Sequence, residues 1–279
     1  MDDFYEFLEI LAGLEFAEPD LLNPLPFVVA YAFLVGTVFG SLANVLAYRL
    51  PLGKSMVRPP SFCPSCEKRI KVYDLVPVLS YFYLRGKCRH CKARISPRYP
   101  IVEFLCGLLF GATALIYPFP VVIPFSLLAL ALLVITLIDI KVQEIPDSML
   151  LLMVGAAVMW VMMDFESVTV SRVLVGAAAG AIPLFLLDRI TLLVLKKDGF
   201  GYGDVKFMGA AGLFLGWQGV VAAYFIAFVS GAAVALYMLK SKKVEPGGYI
   251  AFGPFLCAGT LAATWSYAIL EAHLVSFLL

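Results

Sequence analysis

The chain has 279 residues, of which 62% are hydrophobic and 15% charged, with a net charge of +1 and a mean hydropathy of +0.92. Roughly 25% of an average soluble domain is charged. A water-soluble globule, a disordered chain and a secreted disulfide scaffold are therefore excluded, and lipid must supply part of the solvent. The near-zero net charge conceals a segregation along the chain.

Residues 1–24 carry seven acids (Asp2, Asp3, Glu6, Glu9, Glu15, Glu18, Asp20) and no Lys or Arg. A secretory signal needs a basic start, so this segment reads as an acidic non-cytoplasmic extension. The apolar run over 25–48 follows as a first membrane helix. Residues 49–99 then hold twelve basic residues against Glu67 and Asp74 alone, and a loop so biased stays in the cytoplasm. The remainder, 100–279, reads as one transmembrane domain. Its apolar runs predict helices near 100–117, 121–138, 149–163, 172–195, 205–217, 219–239 and 250–270. With the first, these make an all-α polytopic membrane protein of about eight spans.

Starting outside, eight spans leave the connectors at 139–148, 196–204 and 240–249 in the cytoplasm. Those connectors, with Lys206 beside one of them, contain seven basic residues, whereas the outer connectors contain none. Only Arg172 and Arg189 depart from this positive-inside pattern.

The basic loop contains Cys63-Pro-Ser-Cys66 and Cys88-Arg-His-Cys91, separated by 21 residues. Each C-x2-C turn aims two thiolates at one point, and two such turns complete a tetrahedral four-sulfur shell for Zn2+. Two disulfides are the competing reading, disfavoured in a reducing cytoplasm. A closed shell of four thiolates serves folding, not catalysis. Cys106 and Cys257, in apolar helices, read as core thiols. The basic loop does not call for nucleic acid, because its charge is already explained by topology and no aromatic stacking pattern accompanies it.

Carboxylates at membrane boundaries are costly and mark function by default. Asp139 ends the apolar run 132–138, and Asp204 follows Gly201-Tyr202-Gly203 at the start of a short span. The predicted topology puts both at the cytoplasmic boundary. Two carboxylates at hydrogen-bonding distance share one proton, and such a pair activates water on one side and protonates a leaving amine on the other. Gly201 and Gly203 would permit close backbone approach, and Lys206 would position Asp204. Taken alone, Asp139 also reads as a helix-end residue. Asp147, after Pro146, reads equally as a helix N-cap, and Asp188 beside Arg189 as a structural polar pair. The chain has two histidines, His90 and His273, so a Ser-His or Cys-His nucleophile lacks a base. A proton-coupled transporter with carboxylate relays is the rival class, disfavoured by the absence of an inverted repeat and by the cysteine loop.

These features together resemble the type IV prepilin peptidase family. The resemblance runs from about Phe33 to Phe255. It rests on Gly40-Ser41-Leu42-Ala43-Asn44-Val45 with Tyr48-Arg49-Leu50-Pro51, the two C-x2-C pairs, and 96–103 ending in Glu103. It continues with Asp139 through Ile145-Pro146-Asp147, Gly201-x-Gly203-Asp204-x-Lys206, and Phe252-Gly253-Pro254-Phe255. The acidic N-terminal segment is the one unfamiliar part. The resemblance implies an aspartic intramembrane endopeptidase of the bacterial inner membrane, with Asp139 and Asp204 as the catalytic pair. It implies prepilin or pseudopilin substrates, cut on the cytoplasmic side of the bilayer after a short basic leader. It also implies methylation of the new N-terminus by S-adenosylmethionine, for which Asn44 and Glu103 are candidate contacts. A peptidase lacking the methyltransferase activity is the alternative within the family.

Overall fold

The computed structural model describes residues 25–56, 58, 60–163, 168–196, 201–241 and 250–278. The acidic segment 1–24 and parts of the expected connectors, 164–167, 197–200 and 242–249, fall outside them. The long helices are α1 (Leu25–Arg49), α3 (Arg98–Ile116), α4 (Val122–Val142), α5 (Asp147–Met163), α6 (Val170–Leu195), α7 (Tyr202–Lys240) and α8 (Gly253–Leu278). A short helix, α2 (Leu79–Tyr83), lies in the cysteine loop. Among the described residues there is no strand, only two isolated bridges. Five helical stretches are long and apolar enough to cross a membrane: Leu25–Leu52, Arg98–Ile116, Val122–Val142, Val170–Val194 and Tyr202–Lys240. The protein is a multi-pass membrane protein.

The expected division of 202–240 into two helices corresponds to a break inside α7. Gly216 has φ 63° and ψ 178°, a left-handed conformation that L side chains avoid. The chain reverses there. The Tyr224 hydroxyl donates to the Gly180 carbonyl, and Gly180 itself lies against the Met208 carbonyl. Residues 208 and 224 therefore stand at one level, equally far from Gly216 on either side.

Helix α4 is the hub. It has no polar face, and 72% of its apolar stretch is buried, against 17% for α1 and for α6. It packs against α1, α3, α5 and α8. Two pairs make the most extensive contacts, α1 with α3 and α6 with α7. In the second, Gly176 and Gly212 face each other so closely that a Cβ on either would strike the other's backbone. Small residues let membrane helices approach where the hydrophobic effect no longer drives them together. At one end of α4, Phe125 stacks on Tyr117 at 3.8 Å and meets Trp160 and Phe214 edge-on. Asp139 lies 14 residues further on, about 21 Å along the axis at 1.5 Å per residue, at the opposite end of the bundle.

Candidate active site and cysteine cluster

Asp139 occupies the last turn of α4 and is 5% exposed. Gln143, in a left-handed conformation, ends that helix and donates its N–H to the Asp139 carbonyl at 3.0 Å. The carboxylate itself accepts the Gly253 N–H at 2.9 Å. This donor is one of the unpaired amides at the start of α8, spent on a side chain from another helix. A Cβ on Gly253 would lie 2.7 Å from Asp139 Oδ2, so any larger residue would push the carboxylate aside. Asp204 sits in the first turn of α7, half-buried, and accepts the Gly201 N–H at 3.2 Å. The two carboxylates are near enough for their charges to interact, and the buried Cys257, one turn into α8, feels both. Three helix ends thus converge: the end of α4 and the starts of α7 and α8.

The other expected residues divide. Gly203 packs on Ile145, where an added Cβ would lie 3.2 Å from the Ile145 Cβ. Lys206, expected to position Asp204, instead pairs with Asp147 at 2.8 Å. The reason is helical register: two residues past Asp204, its side chain leaves the helix on another face and meets the start of α5. Asp147 is largely exposed, unlike Asp139. The Asp188–Arg189 pair forms at 2.8 Å, with Asp188 buried. A groove of about 290 Å³ lies at the turn between α4 and α5, lined by Leu50, Pro51, Ile138, Ile145 and Asp147 among others. Gly253 stood in the sequence only as part of a motif. Its signal was a Gly-Pro step opening the last helix, but nothing in the chain pointed that step at Asp139.

Asn44 and Glu103 act as clamps. The Asn44 amide donates to the Tyr99 carbonyl at 3.2 Å, joining α1 to the first turn of α3. Glu103 is buried and accepts the Val78 N–H at 2.7 Å, holding the cysteine loop against α3. In the structure both side chains tie helices and loop together.

The four loop cysteines place their sulfurs within 4.8 Å of one another. They arise from one local design used twice. The Cys63 N–H bonds to the Lys68 carbonyl at 3.0 Å and the Glu67 N–H returns to Cys63 at 2.8 Å. Cys88 repeats this with Ala93 and Lys92, at 2.8 and 3.0 Å. Glu67 and Lys92, each just after the second cysteine of its pair, are both left-handed, with φ 57° and 60°. The Cys63 and Cys91 sulfurs are 3.8 Å apart. Zn–S bonds of about 2.3 Å in a tetrahedron give an S–S edge of about 3.8 Å, so the residues fit zinc. Amides of Cys91 and His90, helped by neighbouring sulfurs, push the Cys88 thiol down to about 6. The Lys68 amide lowers Cys66, but burial and the other three sulfurs outweigh it and push that thiol up to about 11. Four thiolates at one point need a cation to ionise together.

Arg89 fastens the second turn to the loop. It donates to both oxygens of Asp74 and lies over the Tyr73 and Tyr83 rings, at 5.1 and 5.8 Å. Its guanidinium holds the Asp74 carboxyl below the usual carboxylate range.

Asp139, buried, and Asp204, half-buried, stand at converging helix ends inside an apolar bundle, an arrangement that a membrane-embedded aspartic peptidase would use. Residues 34–117 match the Bacterial Peptidase A24 N-terminal domain, and residues 126–236 match the Type IV leader peptidase family. The chain is 34% identical to a prepilin leader peptidase/N-methyltransferase of Stutzerimonas stutzeri, over 90% of this chain and 95% of that one. Similar proteins of the same name from Burkholderia pseudomallei and Pectobacterium carotovorum are 33% and 31% identical, covering 84% and 93% of this chain and 84% and 96% of theirs. The chain belongs to the type IV leader peptidase family. No solved structure matches it.

Proposed function

We propose that this chain cleaves the leader from type IV prepilins and pseudopilins and then methylates the new N-terminus. The meeting of Asp139 and Asp204 at one end of the bundle carries the reading; the family and its named relatives support it. Asp139 and Asp204 hold one proton between them. The ionised carboxylate takes a proton from water as its oxygen attacks the scissile carbonyl. The protonated one donates to the amide nitrogen as the C–N bond breaks. The products are the leader's carboxylate and the mature protein's amine. The Gly253 N–H holds one Asp139 oxygen throughout, leaving the other for water.

The enzyme lies in the bacterial inner membrane, its N-terminus outside and this site facing the cytoplasm. The division into an outer segment 1–24, a first span 25–48, a cytoplasmic loop 49–99 and a peptidase domain 100–279 follows from that orientation. Cys63, Cys66, Cys88 and Cys91 hold a structural zinc ion. S-adenosylmethionine supplies an electrophilic methyl group for the exposed amine. A peptidase without methyl transfer is the second reading. Incubating the purified protein with a prepilin, with and without S-adenosylmethionine, and reading the product N-terminus by mass spectrometry separates these. An intact leader would sink the proposal, and a cleaved but unmethylated product would select the second reading.

A further inference from the structure

Residues 72–83 of the cysteine loop expose an unusual amount of apolar surface for a polar connector. Val72 is 79% exposed, Leu79 69%, Phe82 68% and Tyr83 77%. Leu79, Phe82 and Tyr83 lie on α2, where three- and four-residue spacing puts them on one side. Two observations say what covers this face. First, the segment is tied to a helix of membrane-spanning length. Val78 bonds to Glu103, five residues into the membrane-length helix α3, which is about 7.5 Å below its start at 1.5 Å per residue. Interfacial segments bury their apolar face about 5–10 Å into the headgroup–acyl boundary. Second, exposed Lys68, Arg69, Lys71, Arg85 and Lys87 flank the segment in the chain, a charge that complements anionic headgroups. Tyrosine and aromatic rings at this level fit an interfacial belt.

We propose that residues 72–83 form an interfacial anchor that inserts Leu79, Phe82 and Tyr83 into the adjoining leaflet and binds anionic lipid through the flanking basic residues. The anchor lays the cysteine cluster flat on the membrane surface. It stands apart from the peptidase reading, because none of its residues touches Asp139 or Asp204. A pilin's apolar segment is the competing occupant of this face.

The test uses the full-length Phe82→Trp protein in vesicles of phosphatidylcholine alone or mixed with phosphatidylglycerol, with lipids brominated on the acyl chain. The parent protein supplies the background from its own tryptophans. The expected result is a blue-shifted added emission, quenched by brominated lipid and protected from acrylamide, with quenching stronger when phosphatidylglycerol is present and weakened by salt. Lys71→Glu with Arg85→Glu should remove the lipid-charge dependence while prepilin cleavage continues. Leu79→Trp serves as the second probe if Phe82→Trp folds poorly, with zinc content as the check on the loop. Red-shifted emission open to acrylamide in both vesicles would overturn the anchor. Protection that arises only on adding a prepilin would replace the lipid with substrate, and equal quenching in both vesicles would overturn its anionic preference.

Discussion

Cys63, Cys66, Cys88 and Cys91 come from one continuous stretch of chain, whereas Asp139 and its partner Gly253 lie 114 positions apart on different helices. The cluster is built from two copies of a local turn, each closed by its own backbone bonds. Only the last step, bringing the two turns together, needs more than local structure. The aspartate site has no local version. Each carboxylate sits on a helix end whose position depends on packing elsewhere, and Gly253 reaches Asp139 only because α8 docks on α4. The cluster should therefore fail by local unfolding, and the aspartate site by displacement.

The largest expected effect separates the two centres outright. Asp139→Asn or Asp204→Asn removes one half of the shared-proton pair, and prepilin cleavage should fall by about 10²–10⁴-fold or more. Zinc content and loop protection from proteases should be unchanged. Full cleavage by either variant would refute the pairing. Gly253→Ala comes next: its Cβ would press on Asp139, and misplacing a catalytic group by about 1 Å can cost roughly 10²-fold. The loss should be in kcat more than KM, with the bundle still folded by circular dichroism.

Cys63→Ser, or prolonged chelation, tests the other centre. Zinc stoichiometry should drop and proteolysis within 60–95 should rise, while peptide cleavage in detergent falls far less than in the aspartate variants. If cleavage vanished as completely as in Asp139→Asn, the centres would not be independent.

The pH dependence of loop opening sharpens this further. Arg89 lowers the Asp74 carboxyl in the folded loop, so its contribution is complete above the unfolded value of about 3.9. That contribution is lost only as pH falls through the lower, folded value. Hydrogen exchange that accelerates between pH 7 and 5 would therefore report protonation of the thiolates and loss of metal, not the Asp74–Arg89 bond. Asp74→Asn should loosen segment 72–90 equally across that range. The smallest effect belongs to Asp147→Asn, which breaks an exposed ion pair; exposed pairs contribute little, and cleavage should change only a few-fold. Abolished cleavage here, with Asp139→Asn active, would move the pair to Asp147 and Asp204.

Much of this was legible along the chain. Apolar runs located most helices within a few residues, although the last one runs on to Leu278 and not 270, and the division near 216–218 corresponds to the reversal at Gly216. Asp139 and Asp204 stood out because charge beside a membrane span is expensive. Lys206 shows where such reading ends. Sequence proximity to Asp204 suggested a shared role, but a helix turns 100° per residue and carried the ammonium to Asp147 instead. Asn44 and Glu103 show the same limit: their polarity near one membrane face was visible, but their hydrogen-bond partners, Tyr99 and Val78, were not.

By itself, then, the sequence determined the solvent, the helical segments and the composition of the two cysteine turns. Each of these depends on transfer free energy or on backbone geometry within a few residues, and such terms are read from the chain directly. Tertiary structure alone decided that the Gly253 amide would hold Asp139, that Lys206 would turn to Asp147, and that Glu103 would clasp the loop. Those outcomes depend on which helix faces pack together. Close-packed interiors settle that through the shape of many side chains at once, and no local pattern carries it.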